Sequence, residues 1–136
     1  MSRMRDMKIL VVDDDPIVIK SCRRILESER FEIIAVSGAD EALNILSEIE
    51  VDLLLLDVKM PKHDGLYLMR EMRKKSFGIP IIVMSGYPTS ETVTDVMGLG
   101  AAQFIPKPFR PDELIKSVQQ VLKDMSRWRA FPVGSG

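Results

Sequence analysis

The residues able to do chemistry in this chain are carboxylates placed at the ends of apolar runs. ILVV (9–12) leads straight into Asp13, Asp14 and Asp15, and VDLLLL (51–56) leads into Asp57. Uninterrupted Val/Ile/Leu runs belong to strands buried on both faces, and open α/β sheets take their ligands just outside the carboxyl ends of such strands. If the first and third strands are neighbours, Asp13, Asp14 and Asp57 converge on one acidic pocket. Carboxylates held together repel, which raises at least one pKa unless a cation sits among them. The donor set is all oxygen, so the cation it suits is magnesium, with manganese a close chemical substitute.

Two further strand ends supply complementary groups, Ser85 after IIVM and Lys107 after QFIP. A hydroxyl and an ammonium beside a metal and a carboxylate suit a phosphoryl group, because each neutralises or hydrogen-bonds one of its oxygens. The carboxylate can itself be the nucleophile. No glycine-rich phosphate loop is present, so side chains and metal must hold the phosphoryl group.

The elements that must position these residues alternate between strand and helix periods five times. That alternation predicts parallel strands with crossover helices on both faces. The strands are expected at about 8–12, 31–36, 51–56, 80–84 and 102–105. Asp15 followed by Pro16 reads as the cap and first residue of helix one, whose stripe is Val18, Cys22, Ile25 and Leu26. Helix two follows Ser37, paired with Asp40 as in a capping box, and buries Ala42, Leu43, Leu46 and Ile49. Helix three runs over about 64–75 and ends in Arg73, Lys74 and Lys75, which complement its dipole. Before it, Asp64 and Gly65 suit a turn in which glycine supplies backbone freedom. Helix four, about 90–98, is the weakest, since Thr92, Val93 and Thr94 are β-branched and Gly98 and Gly100 cut it short. Helix five opens at Pro111 and carries Leu114, Val118, Val121, Leu122 and Met125 on one face. The domain is placed at 1–126, and 127–136 read as a tail or linker stump against which Trp128 and Phe131 could fold back.

VVDDDP, LLLLDVKMPKHDG, VMSGY and FIPKPF, in this order and spacing, resemble the receiver domain of two-component response regulators. The resemblance covers residues 8 to about 125. It implies a flavodoxin-like (βα)5 doubly wound parallel sheet of strand order 2-1-3-4-5. It also implies phosphoryl transfer from a histidine kinase or histidine phosphotransfer protein to Asp57. Asp13 and Asp14 would then hold magnesium together with Asp57 and the Lys59 backbone carbonyl. Ser85 would be the switch hydroxyl, Lys107 would contact the phosphoryl group, and Phe104 would be the rotating aromatic. Ser85 stands where threonine is commoner, keeping the hydroxyl and losing a methyl. Phe104 stands where tyrosine is common, so its outward contacts are apolar. The bond from Lys107 to Pro108 falls where the family often has a cis peptide. Lys59 and Tyr87 would flank the path of water to the phosphoryl group and slow its loss. The output is a changed surface of helix four, strand five and helix five, read by a downstream protein or a fused output domain, and a homodimer through helices four and five is compatible with the resemblance.

Bulk properties bound the alternatives. With 19 Lys and Arg against 20 Asp and Glu the net charge is −1, which gives no general attraction to nucleic acid. Cys22 is the single cysteine and reads as a packing residue. No apolar run reaches the roughly 18 residues of a membrane span, and Met1 to Met7 lacks a signal-peptide core, so a cytoplasmic protein is expected. His63, the only histidine, reads as exposed and uninvolved. The rival from another class is a phosphatase of the haloacid dehalogenase type, for which Asp13 and Asp15 have the right spacing. Pro16 and Ile17 deny it the hydroxyl that follows, and the chain has no room for a substrate-covering cap. A third reading is an interaction module that works without phosphorylation.

Overall fold

The computed structural model describes residues 6–86 and 88–130, with side chains through Met125. Five strands, β1 (Lys8–Val12), β2 (Glu32–Val36), β3 (Leu53–Asp57), β4 (Ile81–Ser85) and β5 (Gln103–Pro106), alternate with five helices. These are α1 (Pro16–Glu27), α2 (Ala39–Glu48), α3 (Gly65–Lys74), α4 (Ser90–Gly98) and α5 (Pro111–Ala130). All strand pairs are parallel, in the order β2-β1-β3-β4-β5. The flavodoxin-like order expected from the sequence is therefore the one adopted.

Successive side chains on a strand point to opposite faces, and here each face carries its own core. Leu10, Val12, Leu54, Leu56, Ile81 and Val83 pack with residues of α2, α3 and α4. Ile9, Val11, Leu53, Leu55, Ile82 and Met84 pack with α1 and α5 through Cys22, Leu26, Leu114, Val118 and Val121. Burial on both sides explains why β3 and β4 are apolar without alternation.

The observed boundaries shift two site residues. β3 and β4 each begin and end later than the sequence indicates, so Asp57 and Ser85 are the last residues of their strands and not the first beyond them. Asp52, which was expected in the strand, instead accepts the Lys8 N–H on its side chain at 2.8 Å. At α2 the expected pairing of Ser37 with Asp40 is not formed. Gly38 is the N-cap residue, and the Ser37 N–H and hydroxyl both donate to Glu41 Oε1, at 3.3 and 3.1 Å. The helix starts one residue later than expected, which moves the reaching carboxylate one position along.

The cap of α1 follows the sequence, and α3 and α4 have side-chain caps of their own. The Asp15 side chain accepts from Ile17 N at 2.9 Å, with Pro16 opening α1. Asp64 Oδ1 accepts from Tyr67 N at 2.9 Å at the start of α3. Because this bond satisfies one of the unpaired N–H groups of the first turn, Asp64→Ala is expected to lower stability by about 1 kcal/mol. Chemical denaturation with an unchanged m-value would report it, and a midpoint equal to that of the parent would refute the capping role. α4 is capped by Thr89, whose hydroxyl accepts from Thr92 N at 3.1 Å, and buries only Val96. The expectations for Trp128 and Phe131 fall outside the described side chains.

Candidate functional site

The carboxyl ends of β1, β3, β4 and β5 meet around a cavity of about 220 Å³ that Asp13, Asp14, Asp57, Lys59, Ser85 and Lys107 line. Asp13 is fully buried and both its oxygens are engaged. Oδ1 accepts from Asp15 N at 2.9 Å, and Oδ2 accepts from the Lys107 ammonium at 2.8 Å. The same ammonium donates to Asp57 Oδ1 at 3.2 Å. The Lys107 N–H donates to Ser85 O at 2.7 Å, which fixes its backbone at the end of β4; its bond to Pro108 is cis.

Asp57 and Ser85 are 5% and 2% exposed, whereas Asp14 and Lys59 face solvent. Asp13, Asp14 and Asp57 each offer an oxygen within 4.8 Å of the others'. Two of these carboxylates are buried, and one ammonium serves both. Such a set fits a small, hard divalent cation, because the oxygens are already gathered and carry excess negative charge. The excess is visible in Asp57, whose carboxyl is pushed up from 3.8 to about 6, first by burial and then by the charge of Asp13, against the opposing pull of Lys107. Burial pulls the Lys107 ammonium down, but its hydrogen bond to Asp13 and the Asp13 and Asp57 charges outweigh that and raise it.

All six residues singled out around the pocket are thus brought together, while Phe104 stands apart from them on β5. It is half-buried against the core that α2, α3 and α4 share. Asp15 turns to cap α1. Cys22 lies in the core with its thiol pushed up to about 12 by burial and then by Asp13, which leaves it without thiolate at neutral pH. Tyr87 lies outside the described residues.

Two expectations are corrected here. His63 is not simply exposed. Its side chain is 44% exposed, but its ring stacks on Tyr67 of α3 at a centroid distance of 3.9 Å, and its Nε2 lies 4.0 Å from Asp40 Oδ2, an ion pair only when the imidazole is protonated. Gly65 supplies room rather than backbone freedom. It is the first residue of α3, and Gly100 alone among the described glycines has positive φ. A Cβ at position 65 would lie 2.7 Å from the Asp57 carbonyl oxygen. The sequence offered one signal for this, a glycine at a helical position that does not require one.

Beside the acidic pocket lies a larger, mainly apolar groove of about 700 Å³ between α1 and the β5–α5 turn. Ile17, Ile25, Pro108 and Phe109 line it, and it shares Gly86 and Lys107 with the pocket.

The family profile of the response regulator receiver domain matches residues 9–119. The chain belongs to that family. Response regulator SaeR of Staphylococcus aureus is 28% identical over 125 residues, which are 92% of this chain and 54% of that protein. The chain therefore spans about half the length of the curated relatives it matches. A CheY-like receiver domain protein from Methanospirillum hungatei superposes with a TM-score of 0.85 at 30% identity, over 90% of this chain and 98% of that one. Response regulator TrrA of Thermotoga maritima, crystallised in complex with Mg2+ and BeF, gives 0.76 at 33% identity, over 84% and 97%. Among the described residues no helix is long and apolar enough to cross a membrane.

Proposed function

We propose that this receiver domain accepts a phosphoryl group on Asp57 with a magnesium ion bound, and that the modification alters the α4-β5-α5 surface. The observation that carries the reading is the sharing of one ammonium, Lys107, by two buried carboxylates on different strands, beside a third carboxylate. A relative of 33% identity was crystallised with Mg2+ and BeF, which supports the same ligands here. Asp13, Asp14, Asp57 and the Lys59 carbonyl are the groups that would hold the ion. When bound, it would offset charge on the transferred phosphoryl oxygens.

The protein's own groups divide the remaining work. An Asp57 oxygen attacks the donor phosphorus as the bond from phosphorus to the donor histidine nitrogen breaks. Lys107, already between Asp13 and Asp57, would donate to one phosphoryl oxygen, and Ser85 to another. Phosphorylation exchanges one carboxylate charge for a group of about −1.5 to −2 with new acceptor oxygens. Drawing Ser85 toward them would pull on β4 and allow Phe104, now half-buried, to turn inward against α4. The donor is a histidine kinase or histidine phosphotransfer protein. The apolar groove that shares Lys107 with the site is the surface on which such a protein could reach Asp57. The output, through a downstream protein or a fused domain, and any homodimer through α4 and α5, belong to the same proposal, as does a cytoplasmic location.

The dehalogenase-type alternative asks Asp15 to act at the reacting centre; Asp15 also borders the pocket, but its Oδ1 accepts from Ile17 N as the cap of α1. The reading is tested by intact mass after incubation with acetyl phosphate, with magnesium and with the ion chelated. A magnesium-dependent gain of one phosphoryl group that maps to the peptide containing Asp57 is expected. A gain elsewhere in the chain would refute the assignment. No gain, with a histidine phosphotransfer protein also tried as donor, would point to the interaction module.

A further inference from the structure

We infer that Gly65 is a positioning residue for the metal and phosphoryl site, acting through the backbone of the loop that carries Asp57 and Lys59. The inference rests on the reading of the acidic pocket as a magnesium site.

The chain leaves β3 at Asp57, runs through Lys59, Met60, Pro61, Lys62 and His63, and returns at Gly65 to touch its own starting point. A side chain at position 65 would begin 2.7 Å from the Asp57 carbonyl oxygen and 3.0 Å from Val58 Cα. Both neighbours are backbone, so no rotamer change relieves the contact. Leu56 Cγ, at 3.3 Å, is the only side-chain atom among the three nearest. The Gly65 N–H closes the loop by donating to Val58 O at 2.8 Å.

The reason for glycine is thus steric and directional. Gly65 has a helical place in α3 and needs no unusual φ. The Asp64 cap on Tyr67 N and the stack of His63 on Tyr67 fix the far side of the loop. Leu68, Met69 and Met72 hold α3 in the core against the sheet, so moving the helix away is opposed, and the displacement falls on Asp57 and the residues just after it. Magnesium demands near-ideal octahedral geometry, whereas calcium accepts irregular sites with longer bonds. A shift of a few tenths of an ångström at one carboxylate and one carbonyl should therefore penalise magnesium selectively.

The test is calorimetric titration of the full chain with magnesium chloride and, separately, calcium chloride, for the parent, Gly65→Ala and Gly78→Ala. A Cβ at Gly78 would have nothing within 4 Å, so that variant controls for the loss of a glycine. Gly65→Ala is expected to weaken magnesium binding by about tenfold or more, the size seen when groups supporting metal ligands are removed. Calcium binding should fall less, and Gly78→Ala should match the parent for both ions. In the metal-free variant, amide exchange should quicken over residues 57–65 and stay unchanged in α5.

Equal magnesium affinity in Gly65→Ala and the parent would overturn the inference, as would parallel losses for both ions. A parent that binds no magnesium would instead overturn the reading of the site. If Gly65→Ala shows no cooperative melt, the titration is repeated in a stabilising osmolyte, which favours the compact state. Failure to fold there as well would make Gly65 a requirement of the fold and refute a positioning role.

Discussion

Asp57→Asn is expected to abolish the magnesium-dependent phosphoryl gain and, at the same time, to make the metal-free protein more stable at pH 8. The two effects share one cause. The Asp57 carboxyl titrates near 6 in the folded protein, against an ordinary 3.8, because it is buried beside Asp13. Between those values the folded state keeps a proton that the unfolded chain has released, so stability is fully present below about pH 4 and falls as pH rises through 6. At pH 8 the ionised group therefore opposes folding. After allowance for solvent screening and for the partial compensation by Lys107, its neutral replacement should raise stability by about 1–2 kcal/mol. Denaturant titrations at pH 5 and pH 8 would measure this, with the gain at pH 5 about half that at pH 8, because the unfolded chain has already released the proton there while the folded state largely keeps it. Magnesium should narrow the gap by stabilising the parent more than the variant. Equal stability of parent and variant at pH 8 would remove the electrostatic argument, and a persisting phosphoryl gain would remove Asp57 as acceptor.

Lys107→Met is the converse experiment. The ammonium is the only cation within hydrogen-bonding distance of the two buried carboxylates among the bonds described, at 2.8 Å from Asp13 and 3.2 Å from Asp57. Its loss leaves both buried carboxylates facing each other. Breaking a buried pair from one side costs more than the pair contributes, because the remaining charge stays desolvated, and about 2–4 kcal/mol is expected at pH 8. For a domain of this size that lowers the melting temperature by on the order of 10 °C. The loss should shrink at pH 5, where Asp57 takes up a proton. It should also be partly reversed by magnesium, which the variant is expected to bind more tightly for want of a competing cation. An unchanged melting temperature at pH 8 would show that the carboxylates are adequately solvated without Lys107.

The strands were legible because each depends on a local signal, whereas their order, and with it the meeting of Asp13, Asp14, Asp57, Ser85 and Lys107, followed from the resemblance to receiver domains. Doubly buried strands print continuous apolar runs, and each run here stops at or just before a polar residue that faces the pocket. What escaped notice depends on distances that a linear pattern does not encode. The capping carboxylate of α2 is Glu41 and not Asp40, because the helix begins one residue later than its apolar stripe suggests. The stack of His63 on Tyr67 requires the loop path to be known. Gly65 was misread for the same reason: a close approach between two backbone segments leaves in the sequence only a glycine, which a turn explains equally well. The ends of β3 and β4 were placed one residue early because Asp57 and Ser85 are polar, although the ladder pairs Asp57 with Met84 and Ser85 with Pro106.

The sheet is fully buried at its middle and only partly at its two edge strands. β3 and β4 are buried along their whole length, while β5 is short and mostly half-exposed, and α4 beyond it is anchored in the core by Val96 alone. A load applied at Asp57 would meet a strand buried on both faces, and would be expected to pass toward the less buried edge. If Asp57 takes up a phosphoryl group as proposed, the domain would then respond like a plank held along its middle, giving way at an edge, and the edge that carries β5 and α4 is the one that Lys107 and Ser85 adjoin.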